Sequence, residues 1–318
     1  MNEQREPGSA SEPLTTPPGD SEGSCRPTAV VIERPADGTP RSGQTLAVVT
    51  PHLDDMPFSA AGTVAKLLRE GCRGYLIRTS NDEVDSAGMT PGETMLANER
   101  DAREVVRVLG LDGIFDLNER NHRMDGIERL DLRARLIFLF RLLRVDIVFS
   151  YDPWGHDEEN PDHYVTSQAV EAACWMAGGH LDYPEHFAAG LEPHTVREKY
   201  YFSRRRQAVN RVVDIGPTWD DKAASIRACR TMVLHAVTDL RATLAARDRR
   251  APSLEGSDDE AIDAYVRDLS YEHHLAIGRR HALGPAEEFH WIGPESPQPI
   301  DADPLPAFLA RRTEPIAR

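Results

Sequence analysis

Apolar and polar positions follow two periods along the chain. Short apolar runs typical of buried strands alternate with longer stretches whose apolar residues recur at helical spacing. The predicted strands cover residues 46–50, 74–77, 145–150, 199–202 and 211–215, and the predicted helices cover 59–70, 93–109, 127–143, 163–177, 218–247 and 258–280. Alternating strands and helices predict βαβ units. We therefore expect an α/β fold with a largely parallel sheet flanked by helices, followed by a mixed C-terminal part.

Changes in composition divide the chain into three parts. Residues 1–41 are rich in Pro, Gly, Ser, Thr and Glu, which predicts a disordered tail. Residues 42–216 carry the alternating pattern and form the predicted α/β domain. Residues 217–318 are predicted to be a helical extension packed on that domain. A polar hinge at 249–257 separates its two helices, and the second helix could form a lid or an oligomer contact.

The composition excludes several classes of protein. With 318 residues, of which 40% are apolar, the chain is long enough for a sizeable core, yet no apolar run approaches the roughly 20 residues of a membrane helix. The start of the chain does not have the pattern of a secretion signal, so a cytoplasmic protein is expected. A formal charge of −15 disfavours nucleic acid and anionic membranes as partners. Small neutral or cationic molecules fit better.

The four cysteines and the common cofactor motifs give little positive signal. The cysteines are widely spaced and form no Cys-x-x-Cys pair, so free thiols are expected. The sequence has no glycine-rich phosphate loop and no Gly-x-Ser-x-Gly segment, so nucleotide binding and serine hydrolase chemistry have no support.

Two polar clusters directly follow predicted strands. His52, Asp54 and Asp55 leave the end of the strand at 46–50, and Asp162 and His163 come after the strand at 145–150. In an open α/β sheet, ligands bind outside the carboxyl ends of the strands. Taken alone, the first cluster could be a turn with an Asx cap. The second cluster in the same strand context favours a functional site instead.

The residue types in these clusters suit a metal ion. Zinc in a hydrolase usually takes three protein ligands from His and Asp or Glu and leaves a fourth position for water. His52, Asp55 and His163 supply one such set. Adjacent residues in an extended turn point in different directions, so Asp54 and Asp55 are not expected to bind one ion together, which leaves one carboxylate free as a general base.

The two clusters resemble the motifs of a known family. The Pro-His-x-Asp-Asp start, the x-Pro-Asp-His motif and the intervening Arg100-x-x-x-Glu104 are similar to those of the PIG-L or LmbE-like zinc-dependent N-acetylglucosaminyl deacetylases. The similarity spans roughly residues 45–215. It implies a Rossmann-like sheet in a catalytic domain at 42–216, zinc on His52, Asp55 and His163, Asp54 as the general base, and a substrate contact from Arg100. The alternative for Arg100 is a plain surface pair with Glu104.

One position departs from the family pattern. The second motif usually reads His-x-Asp-His, whereas this chain has Asn160, whose amide can donate a hydrogen bond but cannot carry a positive charge. Asn160 followed by Pro161 also predicts a helix N-cap, and both roles are compatible. His156 would restore the lost imidazole if its loop folds back over the metal; otherwise it is a solvated side chain. Asp162 is expected to orient a neighbouring side chain.

A third polar segment follows the strand at 74–77. Its residues Asn81 and Asp82 are candidates for substrate binding, although a solvated turn explains them equally well. The whole pattern predicts a zinc-dependent amide hydrolase that deacetylates an N-acetylated amino sugar or a sugar-containing natural product. The alternatives are cleavage of a different acyl or thiol conjugate, or a catalytically weak zinc-containing sugar-binding protein. The sequence leaves a homo-oligomer open.

Overall fold

A computed structural model describes residues 30–294. Within this range eight strands form one sheet: β1 Val31–Glu33, β2 Thr45–Thr50, β3 Arg73–Ser80, β4 Gly113–Glu119, β5 Ile147–Tyr151, β6 Glu198–Phe202, β7 Arg211–Asp214 and β8 Ala286–Ile292. The strand order is β1-β7-β8-β6-β5-β2-β3-β4. Strand β8 runs antiparallel to β6 and β7, and every other pair is parallel. Cys25, most of the predicted tail and residues 295–318 lie outside the described residues.

Ten α-helices connect or follow these strands in the described part of the chain: α1 Asp55–Ser59, α2 Ala61–Arg69, α3 Pro91–Leu109, α4 Arg129–Leu143, α5 Pro161–Met176, α6 Pro184–Ala188, α7 Trp219–Ala228, α8 Arg230–Ala245, α9 Asp258–Tyr265 and α10 Tyr271–Arg279. A π-helical turn, Val266–Ser270, joins α9 to α10. Across residues 30–294, none of the helices has the length and apolarity that a bilayer crossing requires.

The sheet separates two hydrophobic cores, which confirms the predicted α/β class. Leu46 and Val48 of β2 face a core that also contains residues of α2, α3 and α7. Ala47 and Val49, which alternate with them, face a second core built with α4 and α5. Successive side chains of a strand point to opposite faces, so a strand covered on both sides is apolar throughout. This burial explains why β2 was recognisable as a continuous apolar run.

Helix α3 shows how local sequence fixes an element's ends. Thr90 and Glu93 form a capping box, in which the Thr90 hydroxyl accepts from the Glu93 N–H and the Glu93 carboxylate accepts from the Thr90 N–H. At the other end Gly110 adopts a φ of 74°, the left-handed conformation that glycine tolerates best. These signals explain why the observed helix ends where the sequence predicts.

The C-terminal part differs from the predicted helical extension because β8 belongs to the sheet. Glu287 on β8 is fully buried, and it accepts hydrogen bonds from the Lys222 ammonium at 2.7 Å and from the Thr63 N–H at 2.8 Å. Buried charges are tolerated when they are paired and hydrogen-bonded. The partner of Glu287 lies 65 residues away. Local sequence therefore gave no sign that a strand containing glutamates is buried.

Two further expectations need correction. Strand β1 falls within residues 1–41, where a disordered tail was predicted; it pairs with β7, and the carboxylate of Glu33 holds the Lys66 ammonium at 2.7 Å. The helix predicted at 218–247 is interrupted at Cys229. There Asp101 of α3 accepts a hydrogen bond of 2.7 Å from the Thr231 N–H, in the first turn of α8. A distant carboxylate thus stabilises the new helix start.

Candidate metal centre

The turn that follows β2 carries the first cluster. The Thr50 hydroxyl donates to the carbonyl of His52 at 3.0 Å, and the His52 N–H donates to Asp55 Oδ2 at 2.8 Å. Helix α1 begins directly at Asp55. These contacts close a tight turn at the carboxyl end of the sheet, so His52 and Asp55 are held by short-range bonds.

The second cluster lies at the start of α5, after β5, which is the neighbour of β2 in the sheet. Asn160 is the N-cap, and its side-chain oxygen accepts from the Asp162 N–H at 3.0 Å. Pro161 occupies the first helical position. This start places His163 in the first turn of the helix, 2% exposed and facing the turn after β2.

His52, Asp55 and His163 form a compact triangle of potential ligand atoms. His52 Nδ1 lies 3.1 Å from His163 Nε2, and each of these nitrogens lies 3.5 Å from an oxygen of Asp55. Three ligands placed about 2.0–2.1 Å from a tetrahedral ion stand roughly 3.3–3.4 Å apart. The spacing and the near-complete burial of all three side chains suit one small cation.

The outer nitrogens of both histidines face carboxylates. His52 Nε2 lies 3.2 Å from Asp162 Oδ2, and His163 Nδ1 lies 3.1 Å from Glu158 Oε1. An ionised carboxylate only accepts hydrogen bonds, so a carboxylate beside each outer nitrogen favours the tautomer that carries the ring proton there. The two inner nitrogens then present lone pairs to each other and to Asp55. Such a cluster of electron pairs is unfavourable in a buried place unless a cation binds between them.

The carboxylates around the histidines are themselves fixed. Asp162 is fully buried and accepts from the backbone N–H groups of His122 at 2.7 Å and Met124 at 3.2 Å. Burial alone would raise its pKa, but these bonds and the His52 contact lower it. Glu158 likewise has its pKa held at about 2, against burial, by His163 and Arg204. Both side chains therefore stay ionised and keep the histidine rings oriented.

Tyr151, the last residue of β5, supports two ligands at once. Its hydroxyl donates to Asp55 Oδ1 at 2.6 Å, and its ring stacks on His163 with centroids 3.9 Å apart. Burial would raise the pKa of Asp55, but His163, His52 and this hydroxyl hold it at about 2. Burial alone would lower the pKa of His52, but the carboxylates of Asp162 and Asp55 raise it. The surroundings therefore favour positive charge at this point.

Asp54 differs from Asp55 in its contacts. It is half-buried, lines the cavity beside the triangle, and makes no side-chain hydrogen bond to any residue between 30 and 294. Burial and the adjacent charge of Asp55 raise its pKa. The doublet is thus split, with Asp55 in the triangle and Asp54 at the cavity wall.

The cavity above the triangle has a volume of about 320 Å³. Its walls include Asn160, whose side-chain oxygen is committed to the helix cap. They also include polar residues that were not predicted from the sequence, among them Asp85, His122, Arg204 and His235. His122 packs edge-on against His52, with ring centroids 6.0 Å apart. It follows β4, a strand that the sequence analysis did not predict. His122 therefore had no strand context that would have marked it.

Two predicted site residues lie away from this cavity. His156 is exposed, and its N–H donates to the Arg206 carbonyl at 3.2 Å, which turns the loop toward the segment after β6 rather than back over the triangle. Arg100 is exposed on α3, two positions after the buried Asn98 and hence on the opposite helix face. The alternative for Arg100, a surface pair with Glu104, is not formed, because Glu104 binds Arg107. Neither side chain is among the residues that line the cavity in the described range.

Asn81 and Asp82 are buried rather than solvated. Asn81 Oδ1 accepts from the Asn121 N–H at 3.2 Å and thereby ties the loop after β3 to the loop that carries His122. Asp82 accepts from Arg78 at 2.7 Å and, with His52 and Asp85, forms a second group of potential ligand atoms. Both residues organise the floor of the site, and neither reaches the cavity wall as described.

Comparisons with known proteins show which solved structures share this fold. Solved structures with a similar fold include the N,N'-diacetylchitobiose deacetylase of Pyrococcus horikoshii, with 19% identity, a TM-score of 0.63, and coverage of 79% of this chain and 84% of that one. The conserved protein TT1542 of Thermus thermophilus has 22% identity, a TM-score of 0.57, and coverage of 80% and 95%. GalB, the 4-carboxy-2-hydroxymuconate hydratase of Pseudomonas putida, has 17% identity, a TM-score of 0.58, and coverage of 80% and 98%.

These neighbours share the fold, yet they include both a deacetylase and a hydratase, so the fold alone does not select the reaction. The family model described as PIG-L: GlcNAc-PI de-N-acetylase matches residues 47–174. That segment contains the whole triangle of His52, Asp55 and His163. The resemblance to this family that the two histidine and aspartate motifs predicted is therefore matched by a family model over residues 47–174.

Proposed function

We propose that the chain is a zinc-dependent amide hydrolase that removes an acetyl group from an N-acetylated amino sugar or a sugar-containing natural product. The observation that carries the proposal is the buried triangle of His52, Asp55 and His163, with both outer histidine nitrogens facing carboxylates. The family description and the deacetylase among the fold neighbours support the same reaction.

The donor set fits zinc. Two neutral imidazoles and one carboxylate are a common ligand set of hydrolytic zinc sites, and the three ligands leave further coordination positions open toward the cavity. Bound there, zinc would acidify a water molecule and polarise the carbonyl of the amide. Asp162 and Glu158 would keep each histidine in the tautomer that binds the metal.

Asp54 is the proposed base. Its carboxylate faces the cavity and has no competing partner among the described residues, so it is available to accept a proton from the attacking water. The water oxygen forms the new bond to the carbonyl carbon as its proton passes to Asp54.

Two side chains are placed to assist at the substrate's oxygen and nitrogen. Because Asn160 Oδ1 is held by the helix cap, its amide Nδ2 is left as a donor at the cavity wall. His122 also lines this wall. We assign Asn160 to the carbonyl oxygen and His122 to proton donation toward the departing amine. When the carbon–nitrogen bond breaks, the amine takes that proton, one water is consumed, and acetate and a free amine are produced.

The decisive experiment measures acetate release from a panel of N-acetylated sugars and glycosides with zinc-loaded protein, alongside elemental analysis. We expect close to one zinc per chain, and sharply reduced retention when His52, Asp55 or His163 is changed to alanine. Release of a longer acyl group or cleavage of a thiol conjugate in place of acetate would favour the related amidases. Tight sugar binding without turnover would indicate a binding protein, and unchanged zinc in all three variants would remove the site from consideration.

A further inference from the structure

Helix α4 carries apolar side chains on both of its faces. Leu132 and Leu136 on the inner face are buried in the core that α4 shares with α5. On the outer face Leu130, Phe138 and Leu142 are 55%, 37% and 46% exposed. A helix that meets water on one side normally carries polar residues there. The outer face of α4 therefore has the composition of a surface that becomes covered.

The exposed apolar residues of α4 form a continuous ridge. Leu130, Ala134, Phe138 and Leu142 follow one another at intervals of four residues. Side chains with this spacing line up along one side of a helix. We call these four residues the α4 ridge. Single exposed apolar residues are common, whereas a contiguous apolar patch is typical of a surface that binds another protein.

A groove of about 400 Å³ runs beside the α4 ridge, between α4 and the edge strand β4. Its apolar walls are Phe115, Leu117, Ala134, Phe138 and Leu139. Its three polar residues are occupied within the chain: Asp116 binds Arg78, Arg135 binds Glu119, and the His186 ring contacts the guanidinium of Arg141. The groove is therefore an apolar recess that can receive a large side chain.

The α4 ridge is complementary to itself when a second copy of the helix runs in the opposite direction. Positions 130 and 142 are equally far from Leu136 along the chain, and so are positions 134 and 138. An antiparallel pair centred on Leu136 therefore places Leu130 opposite the partner's Leu142, and the small Ala134 opposite the partner's Phe138. An aromatic ring that fills an apolar recess is a common anchor of protein interfaces.

The charges at the two ends of the ridge select the same arrangement. Glu128 and Arg144 are exposed, lie equally far from Leu136, and form no ion pair with any residue between 30 and 294. In the antiparallel pair each Glu128 lies near the partner's Arg144, and the two-fold symmetry repeats this contact. A parallel pair would instead bring like charges together, which is unfavourable. The charge pattern therefore fits a second copy of this chain.

We propose that the chain forms a homodimer in which two α4 ridges pack antiparallel about a two-fold axis, each Phe138 entering the groove beside the partner's Ala134. This interface goes beyond the proposed function and does not depend on it. Among the described residues, none from α4 lines the metal cavity. Acetate release and self-association therefore report on separate parts of the molecule.

The first test measures self-association of the full chain by sedimentation velocity over a range of concentrations. We expect the wild type to reach twice the 35.4 kDa mass of one chain at micromolar concentrations. Phe138→Glu should raise the dimer dissociation constant by at least about 30-fold, as expected for loss of an aromatic anchor. Leu96→Glu, at a 60% exposed leucine of α3 on the opposite side of the sheet, is the matched control and should leave that constant unchanged.

The second test exchanges the charges at the ends of the ridge. Glu128→Arg and Arg144→Glu each place like charges opposite one another in a homodimer, so each variant alone should associate about tenfold more weakly than the wild type or worse. An equal mixture of the two variants should recover wild-type association, because each facing pair again has one positive and one negative member. The mixture also controls for folding, since a misfolded variant cannot restore the dimer.

Three outcomes would overturn the proposal. A wild-type chain that stays monomeric at all concentrations has no such interface. A dimer that Phe138→Glu leaves as tight as the wild type is formed by another surface. If the two charge variants associate no better together than apart, the antiparallel arrangement is wrong and the proposal fails with it.

Discussion

The ring of Tyr151 stacks on the ring of His163 with an interplanar angle of 14°, and this contact joins the end of β5 to the first turn of α5. The same tyrosine donates its hydroxyl to Asp55, so one side chain fixes ligands from both motifs. Partners that orient metal ligands typically contribute 10- to 100-fold in metal affinity or activity. Tyr151 is therefore expected to matter although it binds no metal itself.

Tyr151→Phe separates the two contacts, because phenylalanine keeps the stacking and removes only the hydroxyl. We expect zinc affinity to fall by about tenfold or more with the fold intact, measured by competition with a chromogenic chelator. Tyr164→Phe, a hydroxyl deletion in the same segment at a residue outside the cavity wall, is the control. Equal zinc affinity in Tyr151→Phe and the wild type would show that the hydroxyl does not position Asp55.

The aspartate doublet gives the second prediction. Asp54→Asn should retain zinc but lose most turnover, because the amide is nearly isosteric yet cannot accept a proton from water. Asp55→Asn should instead lower zinc content, since it removes a charged ligand and leaves the Tyr151 hydroxyl facing an amide. Metal analysis and acetate release on the same preparations separate the two effects. Wild-type turnover in Asp54→Asn would contradict its role as the base.

The metal centre was predictable from the sequence only in part. The order His52, Asp55 and His163 after two apolar runs predicted the triangle, because the carboxyl ends of parallel strands lie at one edge of the sheet. The residues meet because β2 and β5 are neighbouring strands. The role of His122 could not be predicted in this way. It depends on β4, whose mixed polar residues Gly113–Glu119 are only half-buried at the sheet edge and resemble a loop in sequence. The path of a loop is decided by distant contacts, as the His156 bond to Arg206 shows.

The fold was predictable from the sequence to a similar degree. The strands that were not predicted were missed for a related reason. Strands covered on both faces, such as β2, appear as apolar runs and were found. Strand β8 carries Glu287 and Glu288, and its burial depends on Lys222 from a distant helix. Hydrophobic periodicity cannot detect a charge that is neutralised by a partner far away in the chain.

The third prediction concerns which side chain acts as the general acid, given that Asn160 stands where the family pattern has a histidine. His122→Ala should lower kcat by at least about tenfold with zinc retained, as expected for loss of a general acid. His156→Ala, a substitution of an exposed histidine, is the matched control and should act like the wild type. Asn160→Ala should reduce both kcat and the stability of α5, the latter by about 1 kcal/mol through loss of the cap. A large loss in His156→Ala with none in His122→Ala would reverse this assignment.

The last prediction concerns pH and His274, which is 4% exposed and whose Nδ1–H donates to the Ser270 carbonyl at 2.7 Å. Burial and the nearby Lys222 ammonium lower the pKa of His274 to about 2. The folded state therefore keeps this ring neutral, while the unfolded chain takes up a proton as the pH falls below about 6.5. Above that pH the neutral His274 ring does not lower the free energy of unfolding. The free energy of unfolding falls progressively as the pH drops from about 6.5 to about 2.

Between pH 7 and pH 5, this linkage costs the folded state on the order of 2 kcal/mol. His274→Gln keeps a donor for the Ser270 carbonyl and cannot titrate, so its free energy of unfolding should fall less over the same interval. Urea unfolding at both pH values measures the difference, and His180→Gln, at an exposed histidine, controls for the substitution itself. Other acid-sensitive groups, including the metal ligands, affect all three proteins alike and cancel in the comparison. An equal loss of stability in His274→Gln and the wild type would mean that the folded protein protonates this ring as readily as the unfolded chain does.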